Sequence, residues 1–82
     1  MAKVIIYTSA YCPYCVRAKQ LLDSKQANYQ EIDVSDRSLR PKMTELTGGT
    51  TVPQIIIDGQ ALGGCDELYT LERSGELDKL LS

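Results

Sequence analysis

The chain has no histidine and only three cysteines, at positions 12, 15 and 65. A structural zinc site wants four nitrogen or sulfur ligands, so the cysteine and histidine inventory argues against zinc held within one chain, and no metal is expected. The odd cysteine count equally disfavours the disulfide framework of a small secreted domain. Long apolar runs are missing as well. The longest, Val4 to Tyr7, is too short for a membrane span or for the core of a secretory leader, and only Lys3 precedes it. A cytoplasmic location is therefore expected. Charge of one sign is not in excess: 9 basic and 11 acidic residues leave a net charge of −2 and a pI near 4.9. Nothing in that balance attracts nucleic acid or an anionic membrane. With 82 residues and no linker, repeat or low-complexity stretch, residues 1–82 read as one domain around one core.

What the chain does have is Tyr11-Cys12-Pro13-Tyr14-Cys15. Two thiols two residues apart, with proline directly after the first, place one sulfur at the mouth of a helix and its partner one turn inside. Proline suits the first helical position, because the N–H it lacks has no partner there. The unpaired amides and partial positive charge of a helix N-terminus favour a thiolate over a thiol, so Cys12 reads as a nucleophile at neutral pH. Cys15 faces it and can close a disulfide. A CxxC beside a β-α-β pattern points to redox chemistry rather than to metal binding.

Along the chain, Lys3 to Thr8 reads as a central strand, apolar on both faces. A helix from about Pro13 to Lys25 follows, with Ala18, Leu21 and Leu22 inward. Tyr29 to Val34 reads as a less buried edge strand, joined to the first by a right-handed parallel crossover. The next helix carries Leu39, Met43 and Leu46 at helical spacing and closes at Gly48. Pro41 belongs in its first turn, where a missing N–H costs little, which places the N-cap at Ser38 with Asp36 as its competitor. After the Gly48–Thr51 loop, Ile55 to Ile57 read as a second central strand. Asp58-Gly59 is a tight-hairpin signature returning Gln60 to Leu62 antiparallel. A helix opens at Cys65-Asp66, buries Leu68 and Leu71 and ends at Gly75, and a last helical piece carries Leu77, Leu80 and Leu81. The fold class is α/β: a four-stranded mixed sheet with helices on both faces.

Tyr7-Thr8, Cys12-Pro13-Tyr14-Cys15, Thr51-Val52-Pro53-Gln54 and Gly63-Gly64-Cys65-Asp66, in this order and spacing, resemble the glutaredoxins, and among them the small bacterial dithiol (CPYC) type. The resemblance spans essentially the whole chain. It implies a thioredoxin fold and glutathione-dependent reduction of protein disulfides and glutathione mixed disulfides, with glutathione as co-substrate and no tightly bound cofactor. Cys12 is then the attacking thiolate and Cys15 the resolver. An extended peptide such as glutathione needs backbone partners, which the Thr51-Val52 segment before a proline can offer. The resemblance also implies a cis bond at Pro53. Gly64, Cys65 and Asp66 open a helix whose amides suit a carboxylate. By resemblance they hold the γ-glutamyl end of glutathione, with Asp66 meeting its ammonium; Asp66 would also serve as a simple N-terminal cap. Tyr14 would pack beside the bound peptide. Arg40 is either the contact to the glycine carboxylate or a solvated surface arginine, and Cys65 either a small buried core residue or an exposed reactive thiol.

One departure stands out: many glutaredoxins carry a lysine or arginine where this chain has Ser9, so cationic support for the Cys12 thiolate is absent at that position. Two other functions fit the sequence less well. A thioredoxin-like donor served by a flavoprotein reductase is disfavoured because the chain has no tryptophan. An iron–sulfur carrier is disfavoured by Pro13 and Cys15. Expected partners are glutathione and disulfide-containing or glutathionylated proteins, ribonucleotide reductase among them, and the chain is expected to act as a monomer.

Overall fold

The molecule, a computed structural model, is described over residues 2–82. Its first strand, β1 (Val4–Thr8), has side chains buried on both faces, as its run of β-branched and aromatic residues requires. Helix α1 spans Pro13–Ser24 and buries Cys15, Ala18, Leu21 and Leu22 on one stripe. Strand β2 (Tyr29–Asp33) pairs parallel to β1 at the sheet edge, and none of its residues is fully buried. The chain then makes a 3₁₀ turn at Arg37–Leu39 and enters helix α2 (Arg40–Thr47). Strands β3 (Gln54–Ile57) and β4 (Gln60–Gly63) are antiparallel, and β3 runs antiparallel to β1. Helices α3 (Cys65–Ser74) and α4 (Glu76–Leu81) finish the chain. The sheet order is β2-β1-β3-β4, a four-stranded mixed sheet.

Two apolar layers flank this sheet. On one side Val4, Ile6, Ile55 and Ile57 meet Ala18, Leu21 and Leu22 of α1 together with Leu68 and Leu77 of α3 and α4. On the other, Tyr7, Val34 and Ile56 meet Met43 of α2. The strands alternate their side chains between the layers because successive residues point to opposite faces. At the hairpin, Asp58 (φ 50°) and Gly59 (φ 81°) both sit in the left-handed region, the geometry whose twist matches a tight two-residue connection.

Four expectations change, the first being that Leu71 of α3 is only half-buried. Ser38 is not the cap: the Asp36 carboxylate accepts the Ser38 N–H at 2.9 Å and starts the 3₁₀ turn. Pro41 still falls in the first turn of α2, as its missing N–H demands. Leu39 and Leu46 are about half exposed, at 47% and 51%, so Met43 alone anchors α2. Leu39 lies in the 3₁₀ turn, where the α-helical spacing does not govern its direction. Asp66 is not the cap of α3. Gly64 holds that position, and the Glu67 carboxylate accepts the Gly64 N–H at 2.9 Å.

Candidate active site

The carboxyl end of β1 and the first turn of α1 meet in the loop Ser9–Cys12. Tyr11 takes a left-handed conformation (φ 57°) with its side chain fully in solvent. Cys12 is the N-cap of α1, with extended backbone, and its sulfur accepts the Cys15 N–H at 3.1 Å. Pro13 follows at the start of the helix, and no acidic residue lies in the first turn to oppose a negative sulfur. The two sulfurs are joined as a disulfide, with Cα atoms 5.2 Å apart. Cys15 is only 2% exposed whereas Cys12 is half-buried, so Cys12 is the sulfur a substrate reaches first.

Three segments wall a hollow of about 160 Å³ beside this disulfide: Tyr14 of α1, Thr51–Pro53, and Gly64–Glu67 at the start of α3. The Val52–Pro53 bond is cis, as the resemblance implied. The Val52 carbonyl oxygen lies 3.9 Å from the Cys12 sulfur, so the peptide wall runs directly past the nucleophile. Thr51 is exposed and Val52 half-buried, which leaves their backbone open to a ligand. Gly64 allows α3 to come this close: a Cβ there would lie 3.1 Å from the Pro53 carbonyl oxygen. Amides at a helix start lack partners within the helix, so this wall presents donors to an anion. Tyr14 is 56% exposed and has no packing duty in the core.

Thus Tyr14, Thr51, Val52, Pro53, Gly64, Cys65 and Asp66 come together around one hollow. Arg40 does not join them. It borders a neighbouring hollow with Arg37, Pro41, Thr44, Glu45 and Thr50, and its Nε donates to the Val34 carbonyl at 3.2 Å. Cys65 is 5% exposed, and burial pushes its thiol above the ordinary range, so the small-core-residue alternative holds for its side chain. Two features went unseen in the sequence. Glu67, three residues after the Gly64 cap, occupies a capping-box position that could have been recognised. On the other flank of the disulfide, a second hollow brings Thr8, Lys19, Glu31 and Asp33 alongside Cys12 and Cys15. There Glu31 Oε2 accepts the buried Thr8 hydroxyl at 2.7 Å and the Lys19 ammonium at 3.1 Å. These donors, Thr8 first and Lys19 second, hold the Glu31 carboxyl below its usual range.

An accessible sulfur capping a helix, a buried sulfur one turn behind it, and an open peptide wall on a four-stranded α/β sheet define a thioredoxin-fold dithiol oxidoreductase. The glutaredoxin family model matches residues 4–62. The chain is 53% identical over 83 residues to a glutaredoxin of Pseudomonas aeruginosa, covering 100% of this chain and 99% of that one. It is 52% identical over 82 residues to glutaredoxin 3 of Escherichia coli, covering 99% of each. A crystal structure of the buckwheat glutaredoxin–glutathione complex superposes with a TM-score of 0.89 at 32% identity, over 98% of this chain and 76% of that one. The chain belongs to the glutaredoxin family, whose members are thiol–disulfide oxidoreductases.

Proposed function

We propose that this glutaredoxin reduces glutathione mixed disulfides and protein disulfides, with glutathione as the electron source and Cys12 and Cys15 as the redox pair. The observation that carries this reading is the hollow beside Cys12, walled by the Thr51–Pro53 backbone and the start of α3. It is a site for a short extended peptide with a carboxylate at one end. The related buckwheat protein forms a complex with glutathione. With a glutathionylated substrate, the Cys12 thiolate attacks the glutathione sulfur, the substrate leaves as a thiol, and a second glutathione regenerates Cys12 while forming glutathione disulfide. With a protein disulfide, Cys12 forms the mixed disulfide and Cys15 displaces the protein sulfur, closing the Cys12–Cys15 bond that two glutathione molecules then reduce.

In this reading Thr51 and Val52 pair with the peptide backbone. Pro53 and Tyr14 flank it, Gly64 keeps the start of α3 close to it with its own N–H held by Glu67, Cys65 offers its amide to the γ-glutamyl carboxylate, and Asp66 meets the ammonium. The Arg40 guanidinium, one hollow away beside Thr50, serves the glycine carboxylate. Residues 1–82 act as one domain, as a monomer in the cytoplasm, on disulfide-containing or glutathionylated proteins that include ribonucleotide reductase. The test is Asp66→Asn assayed on a glutathionylated peptide. Removal of an exposed ion pair worth about 1 kcal/mol raises KM roughly fivefold, while Cys12 alkylation keeps its rate. An unchanged KM would contradict the assignment of the α3 wall to the γ-glutamyl end.

A further inference from the structure

The Cys12–Cys15 disulfide sits between two hollows, and the peptide reading uses only one. The other is lined by Cys15 itself, by Lys19 one turn further along α1, and by Glu31 and Asp33 of β2. Cys15 and Lys19 are four residues apart in one helix, so they share a face with Cβ atoms about 5–6 Å apart. The Lys19 ammonium is tied in place: Glu31 Oε2 holds it at 3.1 Å and is itself fixed by the buried Thr8 hydroxyl at 2.7 Å. The Lys19 side chain is 29% exposed, so its charge is less screened than that of a free surface lysine.

Resting on the reading of Cys15 as resolver, we propose that Lys19, anchored by Glu31 and Thr8, is a positioning residue that favours the Cys15 thiolate in the resolving step. In that step the Cys15 thiol gives its proton to water in this hollow. The resulting thiolate forms a bond to the Cys12 sulfur, and the bond from Cys12 to the substrate sulfur breaks. The substrate leaves as a thiolate and takes a proton from water. The charges facing Cys15 here are Lys19 from α1 and Glu31 and Asp33 from β2, with the Tyr11 phenol at the rim; β1 contributes only the uncharged Thr8. The Ser35 side chain first, and then the Ser35 N–H that Asp33 accepts at 2.7 Å, hold the Asp33 carboxyl below its usual range. Among the described residues Lys19 is thus the one cation lining the hollow. Without it, two carboxylates would face the developing thiolate unopposed. Glu31 itself makes a poor proton acceptor, because its carboxyl is held below the usual range.

The experiment is stopped-flow reduction of a small peptide disulfide by the reduced full chain, comparing wild type, Lys19→Met, Lys19→Arg and Cys15→Ser from pH 5 to pH 9. Release of the first peptide thiol reports the Cys12 attack, and release of the second reports resolution. Lys19→Met is expected to move the midpoint of the second phase to higher pH. A less populated thiolate is partly offset by the greater nucleophilicity of a more basic sulfur, so the second-phase rate at neutral pH falls about two- to threefold relative to the first. Lys19→Arg restores both. An unchanged midpoint and ratio in Lys19→Met, with second-thiol release blocked in Cys15→Ser, would overturn the role of Lys19 alone. Second-thiol release persisting in Cys15→Ser would overturn the resolver reading on which it rests.

Discussion

Helix α3 supplies one wall of the peptide hollow, yet among its residues only Cys65 and Leu68 are buried. Leu68 is completely buried, packed in the layer formed by Ile6, Ala18, Leu22, Ile55 and Leu77. Truncating Leu68→Ala removes the buried methyl groups and leaves a cavity that α1 and the sheet fill only in part. Such substitutions cost about 2.7–5.0 kcal/mol, a large fraction of the roughly 5–15 kcal/mol that holds a domain folded. For a domain of this size about 3 kcal/mol corresponds to a drop of roughly 12–24 °C in Tm. The loss should be visible in urea unfolding of the reduced protein as a lower midpoint at unchanged slope. Because Leu68 sits one turn beyond the Gly64 cap, the α3 wall loses its anchor, and KM for a glutathionylated peptide is expected to rise while Cys12 alkylation is unaffected. A stability loss below about 1 kcal/mol would refute the reasoning, since it would mean that Leu68 does not tie α3 to the sheet.

The Cys12 thiol, capping α1 with no acidic residue in its first turn, is expected to alkylate with a pH midpoint well below that of a free thiol; a midpoint near the ordinary value of about 8.5 would count against the helix-terminus argument. The folded-state Glu31 carboxyl is lowered from 4.5 by Thr8 and then Lys19, so its stabilisation is present above that value and is lost as pH falls through the folded one. Glu31→Gln should therefore flatten the acid limb of the unfolding midpoint below about pH 4.5, and an identical acid limb would show that the Thr8–Glu31–Lys19 contact contributes nothing. Gly48 closes α2 in a left-handed conformation, with open space where a Cβ would go. Gly48→Ala should cost about 1–2 kcal/mol from backbone strain alone at unchanged activity, and an unaltered urea midpoint would contradict this.

The strands were legible where local chemistry speaks for itself. Val4–Tyr7 and Ile55–Ile57 are apolar on both faces, and a strand covered on two sides needs that pattern. Asp58-Gly59 tolerates the left-handed geometry that a tight hairpin demands. The start of α2 departs from the helical spacing because a 3₁₀ turn capped by Asp36 takes up Leu39. Cys12 and Cys15 announce themselves through their spacing and Pro13. The walls of the hollow were recognisable as one site only through family resemblance, since Thr51–Pro53 and Gly64–Asp66 have no local signature of a shared site. Thr8 entered only as part of the family pattern, and nothing in the sequence joined it to Lys19 and Glu31. They meet because β1 and β2 pair in parallel with Ile6 opposite Glu31 and Thr8 opposite Asp33, a register that no local pattern encodes.

The most direct test of the central claim is turnover of a glutathione mixed disulfide by wild type, Cys12→Ser and Cys15→Ser, driven in parallel by glutathione with its reductase and by thioredoxin reductase. The expected result is turnover with glutathione that survives in Cys15→Ser, vanishes in Cys12→Ser, and is not supported by thioredoxin reductase. Turnover supported only by thioredoxin reductase and lost in Cys15→Ser would contradict the glutathione-linked mechanism and leave only the fold and the dithiol standing.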